Sequence, residues 1–152
     1  MVADRPAEAG RHLLERFLDT TLPSEQFHHE QHVCVAWMFV RKYGMPAALG
    51  EFTTAIKRFA DAKGATGLYH ETITWAFLLL IAERQAKCST TEWEAFAAAN
   101  PELLVWKPSI LEQYYSIETL KSEFARKVFV FPDRTSREPA LDCRLRDSDC
   151  GL

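Results

Sequence analysis

PAALGEFTTAIKRFADAKG, residues 46–64, decides the fold class. Leu49, Phe52, Ile56 and Phe59 step by three, four and three residues, so their side chains form one apolar stripe on an α-helix. Pro46 stands where a first-turn proline belongs, because the first N–H groups of a helix have no partner within it. Gly64 supplies the stop. Lys57, Arg58, Asp61 and Lys63 fall on the other faces and read as solvated.

The same period extends on both sides. Upstream, Leu13, Leu14, Phe17 and Leu18 predict a helix over Ala7–Thr20, broken by Pro23. Ser24 is a good N-cap for a second helix, Glu25–Tyr43, with Val33, Ala36, Trp37 and Val40 inward and Gly44 as C-cap. Downstream, a fourth helix starts within Thr66–Tyr69 and runs to about Lys87, burying Tyr69, Ile73, Ala76 and Leu80. Thr90 or Thr91 caps a fifth, Glu92–Ala99, closed by Asn100-Pro101. A turn over Pro101–Trp106 and a short helix over Ser109–Tyr115 follow. Ser116 then caps a last helix carrying Ile117, Leu120 and Phe124 on one face. Phe129-Val130-Phe131 reads as an extended strap over the core. The fold class is therefore all-α: a compact bundle of five to six helices, one domain over 1–133, with 134–152 a loose, polar, flexible tail.

Composition agrees. The chain has 152 residues, 47% hydrophobic and 26% charged, enough to bury a core without a structural metal. A net charge of −3 argues against a nucleic-acid partner. The N-terminal ten residues are charged and lack the apolar run of a secretory signal. The most apolar stretch, Ile73–Ala82, is too short to span a bilayer. The expected location is cytoplasmic. Cys34 and Cys88 then read as reduced, core-side thiols, while Cys143 and Cys150 could pair if oxidised.

The chemical signal is histidine. In Phe27-His28-His29-Glu30-Gln31-His32, His29 falls on the face of Val33, Ala36 and Val40, His32 flanks it, and His28 turns toward solvent. The second element is Tyr69-His70-Glu71-Thr72-Ile73-Thr74, at the start of the fourth helix. Short connections make consecutive helices antiparallel, so helices two and four begin at the same end of the bundle. His29, His32 and His70 should then share one layer. A helix start disfavours imidazolium and favours carboxylate, which biases the histidines to the neutral form and Glu71 to the ionised one.

Two chemistries fit that set. As metal ligands, His29, His32 and His70 suit zinc, iron or manganese. As a metal-free acid/base pocket, His70, Glu71 and His32 are the catalytic candidates. Trp37 and Tyr69, with Tyr115 and Arg126 reaching in from the C-terminal helices, are the candidates for binding a small molecule or cofactor. The HExxH spacing of helical metalloproteases is absent, since the local pattern is HHExH, and no GxSxG, P-loop or GxGxxG occurs. A plainly structural reading, a hydrogen-bonded histidine network inside a helical core, accounts for the same residues. Thr72 and Thr74 read as structural in any case.

The pattern Phe27-x-His29-x-x-His32-Val33, then Ala36-Trp37, then Tyr69-His70-Glu71-Thr72-Ile73-Thr74, resembles a group of small bacterial all-helical proteins of uncharacterised function. Tyr114-Tyr115-Ser116, Leu120, Ala125-Arg126 and Pro132-Asp133 extend the likeness to about Phe27–Asp133. The resemblance implies a shared fold and puts weight on His29, His32, His70 and Glu71, and it implies no activity. The expected function is a small enzyme acting on a low-molecular-weight substrate in a His/Glu-lined pocket, by acid/base or metal-assisted chemistry of a lyase, hydrolase or isomerase type. The alternatives are a non-catalytic metal- or small-ligand-binding protein, and a helical adaptor or accessory subunit whose histidines are structural.

Overall fold

The computed structural model describes residues 6–134. The expected tail from residue 135 onward, with Cys143 and Cys150, lies outside the described residues. Helices α1 (Pro6–Leu18), α2 (His29–Tyr43), α3 (Ala47–Ala62), α4 (Glu71–Lys87), α5 (Trp93–Ala99), α6 (Ile117–Lys121) and α7 (Glu123–Lys127) form an all-α bundle. Among the described residues there is no strand, and no helix is long and apolar enough to cross a membrane.

Helix α2 is the hub. It packs most extensively against α4, then α3, and also against α1. Val33, Ala36, Trp37 and Val40 are buried as their spacing predicts, but so are Cys34, Val35 and Phe39. A helix with neighbours on most sides needs apolar residues around most of its girth. Phe17 of α1 meets Phe27, Phe39, Phe52 and Phe59 with ring centroids 5.1–6.5 Å apart, which ties the first three helices together.

The helix starts depart from expectation for local reasons. Ser24 does not cap α2: Ser24–Gln26 is a separate 3-10 turn, and the helix starts at His29. Phe27 leaves the helical conformation and fills a slot between Phe17 and Phe59, at 5.2 and 4.8 Å between centroids. The chain then re-enters helix at His28, whose backbone N–H donates to Gln31 Oε1 at 3.1 Å. Pro46 is the residue before α3 rather than its first turn. Gly44 and Gly64, with φ of 66° and 68°, close α2 and α3 as the sequence predicts. Thr66–Leu68 is another 3-10 turn, so α4 starts at Glu71 with His70 as its cap. Glu92, not Thr90 or Thr91, precedes α5.

The single helix expected after Ser116 is two five-residue helices. Ser116 caps α6 by accepting the Thr119 N–H, and Ser122 interrupts the run by capping α7 through the Ala125 N–H. Asp133 locks this end: its carboxylate accepts from the Ser116 N–H at 2.7 Å and the Ser116 hydroxyl at 2.8 Å. Those bonds and one from Thr119 hold its pKa down at about 2. The strap is present. Thr72 Oγ1, fully buried in α4, donates to the Val128 carbonyl at 2.8 Å and accepts the Val130 N–H at 3.1 Å. Phe129 stacks on Trp75.

Candidate functional site

Helices α2, α3 and α4 do not close completely on one another. Between them, under the loop Val105–Ser109, the turn Ile110–Gln113 and α6, lies a cavity of about 1080 Å³. Its wall is chiefly apolar: Val33 and Ala36 from α2, Phe52, Ile56 and Phe59 from α3, Ile73, Phe77 and Ile81 from α4. His29, His32 and His70 all line it. The expectation that the three histidines share one layer is met.

Each histidine is held differently. His29 opens α2, and its Nε2 lies 2.8 Å from the Leu103 carbonyl, so that nitrogen carries the proton and donates. Its ring packs against Phe77 and Trp106 at 5.1 and 5.2 Å. His32, one turn on, lies flat against Phe27 with centroids 3.9 Å apart. Burial, reinforced by the neighbouring His29, lowers its pKa to about 4 against a weaker opposing pull from the Phe27 carbonyl. Burial likewise lowers the pKa of His29 and of His70. The neutral form expected of this cluster therefore has a cause, mainly desolvation.

His70 is bonded at both ring nitrogens. Nδ1 accepts the Ile73 N–H at 3.2 Å, capping α4, and Nε2 donates to the Leu120 carbonyl at 2.8 Å. The first bond requires a bare Nδ1 and the second a protonated Nε2, which specifies one neutral tautomer. A lone pair for a metal or for a substrate proton is then missing from this residue. Among the described residues no group of three or more His, Cys, Asp or Glu side chains is arranged to hold a metal ion. The expected His29, His32 and His70 ligand set for zinc, iron or manganese finds no support in this arrangement: the residues share a cavity wall, but both ring nitrogens of His70 are bonded within the protein.

Glu71 also departs from expectation. Consecutive residues at a helix start diverge, so Glu71 turns away from the histidines into a separate cleft of about 540 Å³ with Lys57, Glu123 and Lys127. Its carboxylate lies 3.9 Å from Lys57 Nζ. It is not the partner of the histidine pair. Tyr69 and Arg126 line both clefts and form the partition between them. The Tyr69 hydroxyl is buried with no hydrogen bond, and burial, then the nearby Glu71, pushes its pKa up to about 12. Arg126 donates to the Gly67 carbonyl at 3.1 Å and its Nε lies 3.3 Å from Glu123.

Two binding candidates belong to the core instead. Trp37 is 4% exposed, its indole N–H donates to Gln85 Oε1 at 2.6 Å, and it packs on Trp93 and Phe96 away from the cavity. Ala36 takes the cavity-facing position next to it. Tyr115 is buried, and its hydroxyl holds the strap through the Val130 carbonyl at 2.8 Å. Cys34 is buried with its thiol pKa raised to about 12, mainly by burial, which makes it unreactive.

Sequence reasoning missed the mouth. Leu68, Trp106 and Ile117 line the cavity while 78%, 48% and 52% exposed. Trp106, at the end of the expected turn, sits on the loop over His29. No periodicity marks Leu68 and Trp106, because 3-10 turns and loops carry none; Ile117 lies on the apolar face read for the last helix, but its half-exposed place at the opening is not part of that pattern. Lys63, read as solvated, and Lys107, Lys121 and Glu112 also join the lining. Against known proteins, no family model, no curated protein and no solved structure matches the chain.

Proposed function

We propose that the protein binds a low-molecular-weight, largely apolar molecule in the cavity between α2, α3 and α4. One observation carries the reading: a cavity of about 1080 Å³ with an apolar wall, opening past Leu68, Trp106 and Ile117. Sites for small molecules are concave, mostly apolar and furnished with a few polar groups. Here His29 and His32 are those groups. Large apolar side chains left exposed around an opening favour entry of an apolar molecule.

The test uses anilinonaphthalene sulfonate, which brightens in apolar sites. It should bind saturably to the folded protein and quench Trp106 fluorescence. Ala60→Trp, which fills the cavity from α3, should abolish both effects without loss of helix content. Unsaturable probe uptake, or unchanged binding in Ala60→Trp, overturns the proposal.

A catalytic use of the same cavity is supported by the neutral state of His32, the form that accepts a proton. Under that reading His32 is the base and His29 orients the ligand, with His70 holding the wall. Its test is chemical change in a bound ligand, followed by mass spectrometry. Change that persists unaltered in His32→Gln excludes His32 as the base.

A further inference from the structure

We propose that the ligand of this cavity is an organic acid, a carboxylate on an apolar body, whose charged end is met by Lys107 and Lys121 at the mouth. The proposal rests on the small-molecule reading above and specifies the class of ligand.

The charge distribution supports it. The whole chain carries a net charge of −3, yet the cavity lining holds four cations, Lys63, Lys107, Lys121 and Arg126, against one carboxylate, Glu112. An uncharged ligand has no use for a positive surplus of three, least of all beside low-dielectric apolar walls that concentrate its field. Two of the cations have work elsewhere. Lys63 donates to the Thr20 carbonyl at 2.8 Å and lies over the Phe59 ring, and Arg126 is held by Gly67 and Glu123. Glu112 accepts the Ser109 N–H at 3.3 Å, which closes its own turn. Lys107 and Lys121 have no hydrogen-bond or ion-pair partner among the described residues. They are the cations left for a ligand, and they sit on the loop and on the short helix that frame the opening.

The remaining polar groups fit an acid. The lowered pKa values of His29 and His32 keep both rings neutral near neutral pH, so each offers a ring N–H or a lone pair at no charge cost to an apolar ligand body. An alkyl or aryl body would fill the space from Phe27 to Ile81, with the carboxylate left at the rim, where it keeps part of its hydration. That division avoids burying a bare anion.

The experiment is calorimetric titration of the purified protein near neutral pH with three ten-carbon probes: decanoate, decan-1-ol and decyltrimethylammonium. Decanoate should bind about tenfold or more tightly than decanol, the effect of one charge-assisted contact, with the cationic probe weakest. Added salt should shrink the preference. The Lys107→Ala, Lys121→Ala double variant changes only exposed side chains, and it should bring decanoate down to the level of decanol while leaving decanol unchanged. Equal binding of decanoate and decanol by the wild type overturns the acid class but leaves the apolar cavity standing. An acid preference that survives in the double variant overturns the assignment to these two lysines. Failure of all three probes to bind overturns the cavity reading itself.

Discussion

His70 and Leu120 are 50 residues apart in the chain, and the His70 imidazole donates to the Leu120 carbonyl at 2.8 Å while its other nitrogen caps α4 at Ile73. One side chain thus fastens α6 to the start of α4 and completes one wall of the cavity. Removing it should cost about 2 kcal/mol, from a lost cap and a carbonyl left without its donor. His70→Asn keeps an acceptor for the Ile73 N–H and should recover about half of that. Urea denaturation of the two variants measures both. A His70→Ala protein as stable as wild type would mean that the two bonds contribute nothing in solution.

The histidine pKa values set an acid limit on stability. His32 falls to about 4 in the folded protein, mainly by burial, and His29 and His70 are lowered as well. Between about 6.5 and about 4 the unfolded chain holds more protons than the folded one, so stability falls as pH falls across that window. The contribution is complete above about 6.5. For His32 alone the loss by about pH 5 should be on the order of 2 kcal/mol. Asp133, with its pKa held down at about 2, loses its contribution only at lower pH, outside this comparison. Melting curves from neutral pH to about pH 5 should be flatter for His32→Gln than for wild type. Parallel curves would show that the ring is hydrated.

Thr72 should be more demanding than its size suggests. Its hydroxyl, on a fully buried side chain, serves the Val128 carbonyl and the Val130 N–H together. Thr72→Val keeps the shape and leaves both backbone groups unpaired, at a cost of about 2–4 kcal/mol. Thr72→Ser keeps the oxygen and should lose far less. Amide exchange at Val130 should speed up in the valine variant only. Protection that is equal in both would remove the strap from Thr72's account.

Glu71 should prove dispensable for the cavity. It lies in the neighbouring cleft, 3.9 Å from an exposed lysine, and an ion pair of that kind contributes under about 1 kcal/mol. Glu71→Gln should leave the anilinonaphthalene sulfonate affinity within about twofold of wild type. A collapse of that affinity would return Glu71 to the histidine pocket.

The residues that form helices could be read in the chain, because a 3.6-residue period, proline and glycine act over a few neighbours. Leu49, Phe52, Ile56 and Phe59 announce α3 in this way, and Gly44 and Gly64 end α2 and α3 through backbone angles that glycine tolerates best. The layer shared by His29, His32 and His70 was also legible, since short connections determine which helix ends lie together. What each side chain does there was decided elsewhere in the chain. His70 is spent on Leu120, Trp37 on Gln85 and Tyr115 on Val130, partners 50, 48 and 15 residues away. Glu71 and His70 read as one motif, yet a step from cap to first turn aims them into different clefts. The mouth, with Trp106, Lys107 and Lys121, comes from turns that carry no period and from a five-residue helix whose spacing does not show what it faces. A side chain's hydrogen-bond capacity is local chemistry, but the group that takes it up arrives only when distant segments pack.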